Sequence, residues 1–378
     1  MRPATRYIHE FQDPDPVTGS VTVPITMTST FEQDGVEKPR GGWEYGRTGN
    51  PSRVSLEGTI ASAENGAYGL CFASGSAATA AVLNLLEPGD EVLSTVDVYG
   101  GTWRLLNKVY AKYGITGRFL DAHGVEDFSK GITAKTRLIW VETPTNPLLN
   151  IIDIAGIAQI KPAEALLVVD NTFASPWFQT PLDLGADIVV HSTTKYISGH
   201  SDVIGGALVT NRQDLFQSCK FYQNAAGAVP SPLDSFLVQR GLKTLALRME
   251  RHQSNAFAVA ALLSGHPSVG HVYFPGSDTH PGNLIARRQM RGFPGMVSFT
   301  LEGGRPALDR FVRKLGVFTL AESLGGVESL VCHPATMTHA AIPAADRERI
   351  GITDALVRLS VGIEDVHDLT EDLAQALG

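Results

Sequence analysis

Between residues 49 and 245, short apolar runs alternate with stretches of helical spacing. This alternation restricts the fold more than any other feature of the chain. The runs begin near Tyr68, Glu91, Arg137, Leu166, Ile188 and Ala207. Each is short and ends in small or polar residues, the pattern of a buried strand. Strands separated by helices predict a mostly parallel sheet with helices on both faces. In such sheets ligands bind beyond the carboxyl ends of the strands. Residues just after each run are therefore the first candidates for chemistry.

The chain has 378 residues, too many for one compact core. Three parts are expected: an N-terminal arm over 1–48, a large α/β domain over 49–245 and a smaller α+β domain over 246–378. The arm carries Pro3, Pro14, Pro16, Pro24 and Pro39 with little periodicity, so it needs a surface to pack on. The boundary is expected inside one long helix. Leu242, Leu245, Met249, His252, Ala256, Val259 and Leu263 step by three and four along a single face. His252 in that stripe reads as a packing residue. Farther on, Val297, Phe299 and Leu301 alternate, as do Val357, Leu359 and Val361. They predict half-buried strands, with Arg358 and Ser360 opposite the apolar face.

Composition narrows the function. Net charge is −8 with no basic run, which argues against nucleic acid. No apolar run nears the roughly 18 residues of a membrane span. Met1-Arg2-Pro3-Ala4-Thr5 lacks an apolar signal core. Cys71, Cys219 and Cys332 are far apart and form no CxxC pair, so reduced thiols and a cytoplasmic location are expected. No His or Cys cluster suggests a metal. No GxGxxG turn follows a first strand, which argues against a dinucleotide enzyme.

Val189-Val190-His191-Ser192-Thr193-Thr194-Lys195-Tyr196 carries the sharpest chemical signal. A lysine near the end of a buried strand loses its proton more readily, because burial disfavours the ammonium. A free amine attacks carbonyls, and neighbouring hydroxyls bind an anion. A phosphorylated aldehyde fits both, and pyridoxal 5′-phosphate (PLP) is the best known. Asp170 ends the run Leu166 to Val169, where a carboxylate would face a pyridine nitrogen. Ala73-Ser74-Gly75-Ser76 precedes an alanine- and leucine-rich helix, whose free N–H groups suit a phosphate. Gly75 allows close approach and Ser76 adds a hydroxyl. Tyr99, after the strand Glu91 to Val96, would stack on a flat ring.

Taken in order, these pieces resemble the Cys/Met-metabolism PLP enzymes. The resemblance runs through Tyr45-Gly46-Arg47, Ser74-Gly75, Tyr99-Gly100-Gly101-Thr102 and Glu142-Thr143-Pro144-Thr145-Asn146-Pro147. It continues through Val169-Asp170-Asn171-Thr172, Ser192-Thr193-Thr194-Lys195-Tyr196 and Gly199-His200-Ser201-Asp202. It closes with Arg240-Gly241-Leu242-Lys243-Thr244, Ala321-Glu322-Ser323-Leu324-Gly325-Gly326 and Val357-Arg358-Leu359-Ser360-Val361-Gly362. It implies the aspartate-aminotransferase-like fold of fold-type I PLP enzymes. Within the family the chain is most similar to cystathionine γ-lyases and γ-synthases.

The resemblance also implies roles. Lys195, Asp170, Gly75, Ser76, Tyr99, Asn146, Thr172, Ser192 and Thr194 would hold the cofactor, with Tyr45 and Arg47 reaching it from an adjacent subunit. A homotetramer, a dimer of dimers with shared sites, is therefore expected. Arg358 would grip the substrate α-carboxylate, with Arg104, Ser323 and Tyr45 nearby. Lys195 would move protons, and Tyr99 would protonate the leaving sulfur. Glu44 and Glu322 would suit the distal ammonium of cystathionine. They favour γ-elimination of cystathionine to cysteine, 2-oxobutyrate and ammonia. Replacement of an O-acyl-homoserine substituent by cysteine is the alternative, and methionine γ-elimination follows. Lys195 argues against a catalytically inert relative.

Overall fold

The computed structural model describes residues 1–122, 124–340 and 342–378. Its large sheet has seven strands: β1 Tyr68–Phe72, β2 Glu91–Thr95, β3 Thr116–Leu120, β4 Thr136–Glu142, β5 Leu166–Asp170, β6 Ile188–His191 and β7 Gly206–Thr210. They lie in the order β1-β7-β6-β5-β4-β2-β3. All neighbours are parallel except β7, which runs against both β1 and β6. The sheet is thus mostly parallel, as its apolar runs predict. The edge strand β3 escaped the sequence reading. Its residues Thr-Gly-Arg-Phe-Leu are only partly buried and show neither an apolar run nor clean alternation.

Helices bury both faces. Val168, Ile188 and Leu208 pack with Ala78, Ala81 and Val82 on one side. Val189 and Val209 face the other, towards Leu56 and Ile60. Register sets the level of the strand ends. Glu142 pairs with Asp170, and Asp170 pairs with Val190, so β4, β5 and β6 finish together.

A second sheet follows: β8 Val269–Tyr273, β9 Met296–Leu301, β10 Thr319–Leu320, β11 Leu330–Cys332 and β12 Leu356–Ser360, in the order β8-β9-β12-β11-β10. The half-buried expectation fails here, because every residue of β12 is buried. Its polar face is covered by polar partners of the large domain's loops. Ser298 donates to the Pro147 carbonyl at 2.7 Å, Arg358 to Asn146 Oδ1 at 2.8 Å. Alternation reports polarity, and these polar groups are buried in hydrogen bonds.

Two further expectations need correction. The stripe from Leu242 to Leu263 spans two helices, Pro232–Leu242 and Leu245–Ser264, broken at Lys243 and Thr244. Buried Arg248 secures the break, donating to the carbonyls of Gly241 (2.8 Å) and Tyr196 (2.6 Å). His252 is a packing residue, its Nδ1 donating to the Val361 carbonyl at 2.7 Å. The arm is not one unit either. Pro3–His9 is a helix docked on its own chain, with Tyr7 buried against Trp177 and Arg6 donating to the Ser62 carbonyl. Beyond it, Val17, Val21, Met27 and Val36 stand exposed. Among the described residues, no helix is long and apolar enough to cross a membrane.

Candidate active site

A cavity of about 270 Å³ opens at the carboxyl ends of β4, β5 and β6. Lys195 enters it just after β6, and its Nζ donates to Ser323 Oγ at 2.9 Å. Burial, helped by the nearby Arg358 charge, lowers its pKa to about 8. The amine is therefore partly free near neutrality, as a carbonyl-attacking lysine needs. Glu322, at the cavity wall, acts in the opposite sense.

Asp170 reaches the cavity from the end of β5. Its Oδ1 accepts from Thr172 N at 3.1 Å and Thr172 Oγ1 at 2.5 Å. Thr172 Oγ1 in turn accepts from Ser192 N at 2.9 Å, tying the ends of β5 and β6 together. Burial pushes the Asp170 carboxyl above its usual range, with the Thr172 bonds opposing. A cation in the cavity would restore its charge.

The Ser74-Gly75-Ser76 turn opens a helix, as its sequence predicts. Gly75–Leu83 is a helix whose N-cap, Ser74, accepts from Ala77 N at 3.1 Å. The N–H groups of Gly75 and Ser76 precede any intrahelical acceptor. A Cβ at Gly75 would lie 2.9 Å from Ser192 Cβ, so only glycine lets turn and strand end approach this closely. Ser192 and Thr194 also line the cavity, though Thr194 Oγ1 is engaged with Gly205 N at 3.0 Å. On the other wall stands Tyr99, 42% exposed, its phenol pushed up by burial. Amine, carboxylate, cradle and aromatic wall together fit a phosphorylated pyridine aldehyde.

Arg358 lies behind Asn146 and Ser323 and does not itself line the cavity. Its Nη1 donates to Asn146 Oδ1 and its Nη2 to the Ser323 carbonyl, both at 2.8 Å. Ser323 sits at φ 100°, which a non-glycine residue rarely adopts, and the Arg358 bond helps hold it there. The buried Nε of Arg358 has no partner among the described residues.

Four of the expected residues stand apart from this chain's own cavity. Glu44, Tyr45, Arg47 and Arg104 are exposed and none lines it. Arg47 stacks over the Tyr45 ring at 5.4 Å and donates to Asn224 Oδ1 at 3.3 Å. Buried Arg53 holds their turn by donating to the carbonyls of Gly46 (3.0 Å) and Arg47 (2.9 Å).

Sequence reading missed two lining residues of note, Glu142 and Thr338. Glu142 had a signal: an acid at a strand end, within the same motif as Asn146. Thr338 had none, because its loop reaches the site only through the fold, where its carbonyl abuts Gly100. The Thr143–Pro144 and Asn146–Pro147 bonds are both cis.

The family model described as Cys/Met metabolism PLP-dependent enzyme matches residues 4–378. The chain is 56% identical over 378 residues to the cystathionine γ-synthase of Mycobacterium tuberculosis, covering 100% of this chain and 97% of that protein. It is 51% identical over 374 residues to the cystathionine γ-lyase of Dictyostelium discoideum, covering 99% and 97%. It is 50% identical over 378 residues to the cystathionine β-lyase of Coxiella burnetii, covering 99% and 97%. The crystal structure of cystathionine γ-synthase from Xanthomonas oryzae pv. oryzae, in complex with aminoacrylate and cysteine, superposes with a TM-score of 0.97. It is 47% identical and is covered over 98% of its length by all of this chain. With a strand-end lysine, a facing carboxylate and a helix-start cradle in one cavity, the chain belongs to the Cys/Met metabolism family of PLP-dependent enzymes.

Proposed function

We propose that this enzyme works on the Cγ–S bond of cystathionine, and that cleavage of that bond is its reaction. One observation carries the proposal. Glu322 lines the cavity beside Ser323, the hydroxyl that receives the Lys195 amine. A carboxylate there suits the distal ammonium of cystathionine, which a smaller thioether such as methionine lacks.

PLP, when bound at Lys195, supplies an electron sink for the substrate Cα. The chain's own groups do the rest. Arg358, held behind the cavity-lining Asn146 and Ser323, orients the α-carboxylate. Lys195 Nζ takes the Cα proton, aided by a pKa near 8 that leaves it partly neutral. Lys195 Nζ would pass that proton to the electron sink and, neutral again, take a second from Cβ, whose electron pair forms the Cβ–Cγ double bond as the Cγ–S bond breaks. Tyr99, its phenol held protonated by burial, delivers a proton to that sulfur.

A second reading is cystathionine synthesis from an O-acyl-homoserine and cysteine. It is supported by the higher identity to the M. tuberculosis synthase (56%) than to the D. discoideum lyase (51%). Both reactions would use Lys195, Arg358 and Tyr99. Product analysis separates them. Cystathionine alone should yield cysteine, 2-oxobutyrate and ammonia. Rapid cystathionine formation from O-succinylhomoserine and cysteine, with negligible cleavage, would favour the synthase instead.

The same proposal includes a cytoplasmic homotetramer with shared sites. It is supported by the exposed position of Glu44, Tyr45 and Arg47, away from their own cavity. Val17, Val21, Met27 and Val36 on the same segment need cover that this chain does not provide.

A further inference from the structure

We propose that Glu142 is a positioning residue for the ring end of the cavity, and that its carboxylate, level with that of Asp170, makes the cavity favour a cationic ring nitrogen. This goes beyond the direct pairing of Asp170 with that nitrogen. It holds whichever reaction the enzyme runs.

The positioning rests on two bonds. Glu142 Oε2 accepts from Tyr99 N at 2.9 Å, and Oε1 accepts from Asn146 N at 2.8 Å. One carboxylate therefore sets both the aromatic wall and the asparagine of the neighbouring loop. The connection continues from Asn146 Oδ1 to Arg358 Nη1, and from Arg358 Nη2 to the Ser323 carbonyl. Ring slot and substrate grip share one hydrogen-bonded frame, with Glu142 at its origin.

The charge argument rests on register. Glu142 and Asp170 are direct partners on adjacent parallel strands, so their side chains leave the same face at the same level. Both line the cavity, and Glu142 is only 4% exposed. Burial raises the Glu142 carboxyl well above its ordinary value, and the Asp170 charge raises it further. Asp97 adds to this on Glu142, while His191 offers Asp170 a partial counter-charge. Two carboxylates so placed favour a proton or a cation between them. A protonated pyridine nitrogen is a cation of the right kind.

The test uses the apoprotein and two ligands: pyridoxal phosphate, and its analogue with the ring nitrogen replaced by C–H. The quantity read is the ratio of their dissociation constants. An opposite charge a few ångströms away shifts a pKa by about one unit or more, so the unaltered protein should prefer the nitrogen ring roughly tenfold or more. Glu142→Gln, neutral and similar in shape, should lower that ratio several-fold. Glu142→Asp, charged but shorter, should weaken both ligands and leave the ratio unchanged. A merely structural residue would weaken both ligands equally in every variant. An unchanged ratio in Glu142→Gln overturns the proposal. Should that variant fail to fold by circular dichroism, Glu142→Ala reads the same ratio with the same two outcomes.

Discussion

At the ring end of the cavity, Glu142, Asp170 and Lys195 stand at or just past strand ends, held by backbone N–H groups, a threonine and a serine. At the other end, Glu322 is exposed, and Glu44, Tyr45 and Arg47 lie off the cavity on an arm. The first region is fixed by sheet register. The second depends on loops and on surfaces that this chain alone leaves uncovered. The contrast explains why relatives named synthase, γ-lyase and β-lyase share so much sequence. On the function proposed above, exposed groups outside the register-fixed end would carry the choice of reaction.

The largest expected effect breaks the two regions apart. Lys195→Ala should lose about 10⁴-fold or more in turnover, since it removes both covalent anchor and base. Arg47→Ala should also be nearly inactive. Mixed and reassembled, the two inactive proteins should regain part of the activity if the arm completes a partner's site. Failure to complement, with subunit exchange demonstrated by mass spectrometry, would return Arg47 to its own chain.

A middle-sized effect sharpens the substrate end. Glu322→Ala removes a charged contact of about 1.5–3 kcal/mol. Cystathionine kcat/KM should fall by roughly tenfold to a hundredfold. An O-acyl-homoserine, which has no distal ammonium, should be much less affected. Equal losses on both substrates would make Glu322 a structural group.

The smallest effect is a pH dependence at the ring end. The folded pKa of Lys195 is lowered from 10.5 to about 8. Its reactive form is the neutral amine, so capture of pyridoxal phosphate by the apoprotein should rise about tenfold per pH unit below 8. Above that it should level off. A capture rate that continues to climb towards pH 10 would mean an amine that burial does not perturb.

The alternation of short runs and helical spacing was enough to predict a mostly parallel sheet. The strand-end positions of Lys195 and Asp170 and the helix start at Gly75 were legible one by one, because strand ends and helix starts are local. Arg358 was placed on the correct strand face, yet its burial was not foreseen. Period-two alternation cannot distinguish solvent from a layer of Asn146 and Ser323. Glu142 was in plain view within its motif. Its weight appeared only when register set it beside Asp170, a relation that no single stretch of sequence contains.

The sequence by itself determined the elements, the strand-end residue types and, through its ordered motifs, the family. Those follow from local periodicity and from side-chain chemistry, which need no partner. Tertiary structure alone decided which groups share a cavity, which carboxylates stand side by side and which motif residues stay outside. These depend on burial and on distances across strands far apart in sequence. Lys195 therefore has a recognisable pattern, but its lowered pKa comes from the surroundings that the fold builds around it.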